Sequence, residues 1–532
     1  MKCIAVLHAI ALAATLSLTA CIVDDRAEEQ ASVGAPAVGL AVMGRPEAIP
    51  VTERAAIRFL EQAAFGPTET EIQRVMMLGF EGYIDEQFGA AGSTYAASDA
   101  NDRNTVKQQF LNNAVRGGDQ LRQRMGFALG QIFVVSFLGV SNAEAIAGYQ
   151  NMLLRNAFGT YDQLLREVTL HPTMGSYLDL VHTLAGPHPN ENYARELMQL
   201  FSIGTVVLEL DGSPRHDARN ESIPAYTQKD VEELARALSG WTYPTLPGQT
   251  PAPRNPTNFI GPLEPVETLH DAGTKVLLGG TLLPAGQTAE ADLTAALAAV
   301  SSHPNVAPFI SIRLIQHFVT SNPSGEYVRR VAQVFNHDAD GVRGNLKAVI
   351  KAILLDPEAR RGDDPTLARD HNGRLKDPIL FMTGLLRALD ATGDLSNEIY
   401  RATGMGQNIF TPPSVFNFYS PDHPMPGAEM TAPEFQIFTS PNLLARYNFV
   451  SMLVYGSSPS VAVDLSPWLR QAETASTLMA AIDRLLFHDA MSATTRAAIT
   501  QAVEQLPPDN ALTRVRAALY LAATTPEYQI HH

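Results

Sequence analysis

Glu191, Asn192, Arg195, Glu196 and Gln199 lie in one stretch between Pro189-Asn190, a helix start, and Gly204, a helix stop. At about 100° per residue they share one arc, opposite Tyr193, Ala194, Leu197, Leu200 and Phe201. Two carboxylates beside a guanidinium can act as an acid/base pair or as ligand groups, with the arginine holding one of them ionised. The same spacing also fits simple i,i+4 pairing of Glu191 with Arg195 and Asn192 with Glu196. Further along, His270-Asp271 and Lys275 stand in a loop and offer the second half of an acid/base pair or of a metal site. The candidate catalytic residues are therefore Glu191, Arg195, Glu196, His270 and Asp271, with Asn192, Gln199, Gln228, Trp241 and Lys275 as candidate substrate-binding residues. A divalent metal on Glu191, Glu196, His270 and Asp271 is a third reading, although no motif indicates one and no cofactor is identified.

Common catalytic signatures are missing. The chain has no glycine-rich phosphate loop, no G-x-S-x-G elbow, no H-E-x-x-H helix and no cysteine-based zinc spacing. Asn336 to Gly341 matches the first half of a calcium loop, but Lys347 occupies the twelfth position where a bidentate Glu is needed, so it reads as a turn. Arg313 and His317 share a helix face and read as a structural pair.

The elements that must position these residues are mostly helical. Thr52 and Thr68 open two helices joined by Gly66-Pro67, a hairpin in which Gly79 ends the second helix. Leu121 to Val140 reads as a central buried helix, in which Arg124 needs a partner such as Glu191 or Glu196. Met152 to Leu170 reads as another helix, closed by His171-Pro172. After Gly204, β-type composition and Asp211-Gly212 predict a small hairpin, and a second hairpin is expected around Gly279-Gly280. Thr227 with Asp230 is a capping-box spacing, and Gly240-Trp241 fits a glycine stop with a hydrophobic staple. Met405 to Pro426 is aromatic and proline-rich, and the rest reads helical. The expected fold class is mainly α, a large multi-helix domain with one or two small inserted β-hairpins.

With 532 residues, 45% hydrophobic and 18% charged, the chain can bury a large core. A net charge of −16 leaves no excess of Lys and Arg to neutralise phosphates, so no nucleic-acid partner is expected. Lys2 precedes an apolar run from Ile4 to Leu18, the layout of a secretory signal peptide. Leu18-Thr-Ala-Cys21 resembles the lipobox of bacterial lipoproteins, which implies cleavage before Cys21 and its lipidation. Ile22 after the Cys favours the outer membrane under the sorting pattern of such lipoproteins. The expected organisation is a signal peptide and lipobox at 1–21, a flexible tether at 22–51, a helical domain at 52–455 and a C-terminal helical extension at 456–532 packed on it.

Phe59-Leu-Glu-Gln-Ala-Ala-Phe-Gly-Pro67, Arg122-Gln-Arg-Met125, Asn190 to Gly204, Tyr226-Thr-Gln228, Ala235-Arg-Ala-Leu-Ser-Gly-Trp241, His270 to Lys275 and Pro412-Pro-Ser-Val-Phe-Asn-Phe-Tyr-Ser-Pro421 occur in this order. Together they resemble the bacterial domain-of-unknown-function family 1800, from about Thr52 to about Tyr455. The resemblance implies a large, exported, mainly helical protein whose gene often neighbours one for an exported sulfatase-like protein, a candidate partner. It brings no activity. The family usually has Thr where this chain has Ser239. Two functions stay open. One is a lipid-anchored envelope enzyme using carboxylate acid/base chemistry on a polar, glycan-like substrate; the other is a non-catalytic helical scaffold that works with an exported partner. The first expects a pocket uniting the helix at Glu191 with the loop at His270, and the second expects those residues separate or fully paired.

Overall fold

The computed structural model describes residues 50–367, 373–425, 427–458 and 460–531. Cys21, the signal peptide and nearly all of the tether lie outside the described residues. Among the described residues there are 22 α-helices and four antiparallel pairs of strands of two or three residues each, so the protein is mainly α. No described helix is long and apolar enough to cross a membrane.

Local capping accounts for many of the helix boundaries. Thr52 accepts from the Ala55 amide to open Glu53–Ala63, and Thr68 accepts from the Glu71 amide to open Glu69–Gly89. Gly79 has φ +73° and breaks the second helix internally. The two helices meet through Phe59, whose ring stacks on Phe80 at 4.9 Å and meets Tyr83 edge-on at 5.7 Å. Thr227 and Asp230 form the expected capping box at the start of Gln228–Ala237.

Two expected helices are shorter than their apolar patterns. The central one spans Gln120–Ile132, and Phe133 caps it by donating to the Leu129 carbonyl. Beyond it Ser136 donates to the Pro412 carbonyl, and Phe133 to Phe137 and Val140 are buried as irregular chain while Leu138 is exposed. The stretch expected as one helix from Met152 is two, Ala143–Asn156 and Tyr161–Leu170, with Thr160 capping the second. A tertiary contact decides that break, because the Tyr161 amide donates to the carbonyl of Gly344, far along the chain.

The insertion after Gly204 is a bridged ribbon, pairing Val206 with Pro224, Leu208 with Pro214 and His216 with Ser222. The second hairpin pairs Lys275–Leu277 with Thr281–Leu283. Two further pairings, Arg374–Leu375 with Ile530–His531 and Thr392–Gly393 with Val461–Ala462, tie the last quarter of the chain into its middle. A continuous hydrophobic core runs from Ala56 to Tyr528.

Arg124 is buried, yet its partners are not Glu191 or Glu196. Its guanidinium donates to the carbonyls of Ala64 (3.1 Å) and His317 (3.0 Å) and lies against the rings of Phe65, Phe127 and Phe318. Carbonyl dipoles and ring faces take the place of a carboxylate.

Gly66 has φ +124°, and a Cβ there would sit 2.6 Å from the Cα of Gly384 on the helix Pro378–Ala388. Gly66→Ala should therefore cost more than about 1 kcal/mol of stability in denaturant unfolding. An unshifted midpoint would show that this crossing has room to spare.

Candidate functional site

A cavity of about 530 Å³ opens where four parts of the chain converge. Gln131 and Ile132 come from the end of Gln120–Ile132, and Gln199, Leu200, Gly204 and Thr205 from the end of the polar helix Asn192–Gln199 and its glycine stop. Phe309, Ile312, Arg313 and His317 recur at helical spacing on one face of Val306–Phe318. The loop from Val415 to Asp422 closes the remaining side.

The polar wall is held in place. Gln131 accepts from the Asn417 amide at 3.0 Å and from the Tyr419 hydroxyl at 3.1 Å. Arg313 grips Asp422 at 3.1 and 3.3 Å and lies over the Phe309 ring at 5.1 Å, so it pairs with Asp422 and not with His317. His317 is partly buried, and burial followed by the guanidiniums of Arg374, Arg124 and Arg313 holds its imidazole well below the usual range. It is therefore neutral at physiological pH and a weak base, able to accept a hydrogen bond from a ligand. Beneath the cavity Arg374 pairs with Glu434 at 2.7 Å and Asp377 at 3.4 Å, and it also donates to the His317 carbonyl.

Of the residues expected from the sequence, Gln199 lines this cavity. Glu191, Arg195 and Gln228 form a separate cluster: Arg195 bonds Glu191 at 2.7 Å and Gln228 at 3.1 Å, and Gln228 donates to Glu191 at 2.8 Å. Asn192 donates to Asp179 at 3.1 Å instead of pairing with Glu196. Glu196 is 8% exposed, with Oε2 buried and without a hydrogen-bond partner. Burial raises its pKa, and Arg195 only partly opposes that.

His270, Asp271 and Lys275 belong to a second, fully paired network. His270 Nδ1 faces the Ser239 carbonyl at 2.9 Å and Nε2 faces Asp292 at 3.0 Å, while Lys275 donates to Asp292 at 2.6 Å. Asp271 is gripped by Arg236 at 2.8 and 3.2 Å. Ser239, His270 and Asp292 contain the residue types of a hydrolase triad, but Ser239 is fully buried and its hydroxyl donates to the Arg236 carbonyl at 2.7 Å. No nucleophile is presented. Gly240 has φ +85°, and a Cβ there would lie 2.8 Å from His270, so glycine is what lets this loop close. Trp241 is buried in a two-residue strand paired with Glu264–Pro265.

Glu191 and His270 thus meet opposite ends of one helix, Gln228–Ala237, through Gln228 and, beside His270, the Arg236–Asp271 pair. Among the described residues no group of three or more His, Cys, Asp or Glu is placed to hold a metal ion. Arg313 and His317 read from the sequence as a structural pair, and Asn417 and Tyr419 only as part of the motif from Pro412 to Pro421, so none of these four cavity residues was among the candidate site residues. The i,i+4 spacing of the first two and the aromatic run around the others were the available signals.

The two networks should differ in stability. Asp292→Ala strands Lys275 in the interior and should cost about 3–5 kcal/mol, whereas Glu191→Ala, at a half-exposed pair, should cost less than about 1 kcal/mol. Denaturant unfolding of both variants checks this, and equal losses would refute it. For Glu196 the folded pKa lies above the unfolded one, so its charged form destabilises as pH rises through that interval and not below it. Glu196→Gln should keep or raise the thermal midpoint at pH 7, the gain shrinking towards pH 4; a lower midpoint at pH 7 would mean a lost ion pair.

The family model described as "Protein of unknown function (DUF1800)" matches residues 58–530, including the helices after residue 456. No curated protein and no solved structure matches the chain. Because the match covers most of its length, from the first capped helix to the last strand, the chain belongs to the DUF1800 family.

Proposed function

We propose that the protein is an exported, lipid-anchored envelope protein that binds a polar, glycan-like ligand in the cavity at Gln131, Gln199, His317 and Asn417. The observation that carries this is the composition of the wall. Amides at Gln131, Gln199 and Asn417 and hydroxyls at Thr205, Tyr419 and Ser420 share the lining with the apolar rings of Phe309 and Phe416. Sugar rings present hydroxyls at their edges and C–H groups on their faces, and such walls match both.

If a reaction follows binding, the carboxylates Glu191, Glu196 and Asp271 do not act on the ligand directly, since none of them lines the cavity. The scaffold reading, with an exported partner that includes the sulfatase-like candidate, is favoured by the complete pairing of His270, Asp271 and Lys275. Export and anchoring rest on the signal layout and on Cys21.

Calorimetric titration of a panel of di- and trisaccharides is expected to find a binder. Gln199→Ala should weaken it about tenfold, the effect of one lost polar contact. Because burial and the neighbouring guanidiniums hold the His317 imidazole well below its usual range, binding should not change with pH around neutrality and should weaken only in more acid solution. A panel without a binder would sink the proposal in favour of the scaffold. Palmitate labelling that persists in Cys21→Ser would remove the anchor.

A further inference from the structure

Behind the cavity lies a second, smaller chamber of about 40 Å³, room for a few atoms where a water needs about 10–15 Å³. Gln131 and Asn417, joined by a hydrogen bond, line both spaces and so stand where the two adjoin. Apart from these and the amides of Gln150 and Gln407, the chamber wall is mainly apolar and aromatic, with Tyr95, Phe110, Phe127, Ile409 and Phe410 prominent.

Two amide donors border this chamber without a partner. Gln407 is 1% exposed; its Oε1 accepts from the Ile379 amide at 2.9 Å, which fixes the amide orientation and leaves Nε2 buried and unbonded. Gln131 likewise spends its Oε1 on Asn417 and Tyr419, and its Nε2 is also buried and unbonded. Buried donors without acceptors are rare. The wall segment is also strained, since Phe410 and Asn417 both have positive φ, +53° and +68°. For a bulky aromatic that conformation is an outlier of the kind found at ligand clamps.

We propose that this chamber seats an acetamido group, so that the ligand of the main cavity is an N-acetylated saccharide. The inference rests on the cavity reading above and adds the substituent to it. The methyl lies against the aromatic wall, and the carbonyl oxygen, with two lone pairs, accepts from the amide donors at the chamber. Gln150, whose amide oxygen approaches the position of a Gly130 Cβ within 3.4 Å, supplies an acceptor for the acetamido N–H. The sugar ring itself stays in the larger cavity, among the amides and hydroxyls at its wall.

The test titrates the purified full-length protein with di-N-acetylchitobiose and with cellobiose, which share a β-1,4 disaccharide frame and differ in the acetamido groups. Chitobiose should bind at least about tenfold more tightly. Gln407→Glu keeps the acceptor for the Ile379 amide and removes the donor; Ile409→Phe fills the chamber from its apolar wall. Each should abolish the preference while leaving cellobiose affinity unchanged. Equal affinities in the native protein, or a preference that survives both variants, would mean that water alone fills the chamber and would overturn the inference while the cavity reading stands. If neither sugar binds, the cavity reading fails and takes this one with it.

Discussion

The carbonyl of His317 is the point on which the cavity depends. It closes the helix Val306–Phe318, where the last turn leaves carbonyls without helical partners and the macrodipole favours positive charge. Two buried guanidiniums meet it, Arg124 from the central helix and Arg374 from the strand that pairs with the C-terminus. Arg124 also reaches the Ala64 carbonyl, and Arg374 is held by Glu434, so one acceptor gathers five distant parts of the chain. Burial does most to push the His317 ring towards neutrality, and the cations that stabilise the helix end add to it.

Much of the fold was legible where the information is local. Thr52, Thr68 and Thr227 stand before apolar periods and cap the helices they announce, and Gly79 and Gly240 take the left-handed φ that a stop or break needs. What depended on distant neighbours was not legible. The break at Thr160 follows from a bond to Gly344, and the burial of Phe133 to Phe137 as irregular chain involves the loop at Pro412. Arg124 was recognised as a buried cation needing a partner, but a backbone carbonyl far along the chain carries no sequence signal.

The polar helix shows the same division on a smaller scale. Its arc of acids, amides and a guanidinium was read as one surface, yet the structure splits it along its length. At the N-terminal end Glu191 and Arg195 meet Gln228 in a half-exposed cluster, and at the C-terminal end Gln199 enters the cavity. Glu196 lies between them, buried and without a charge partner. Periodicity assigns residues to a face, but only the neighbouring elements decide what each part of that face meets.

That division bears on the choice between enzyme and scaffold. Ion pairs that are complete, such as Asp271 with Arg236 and Lys275 with Asp292, have no capacity left for a ligand, and their burial makes them costly to open. At the cavity, by contrast, the neutral imidazole of His317 and the buried amides of Gln131 and Gln407 keep hydrogen-bonding capacity that borders an open space. Buried unbonded polar atoms also occur elsewhere, at Gln62, Glu196, Trp241 and Glu398 among others, but those side chains line neither the cavity nor its chamber. The charged motifs hold the helices in register, and the uncharged side chains of the cavity are the ones left free to meet a ligand.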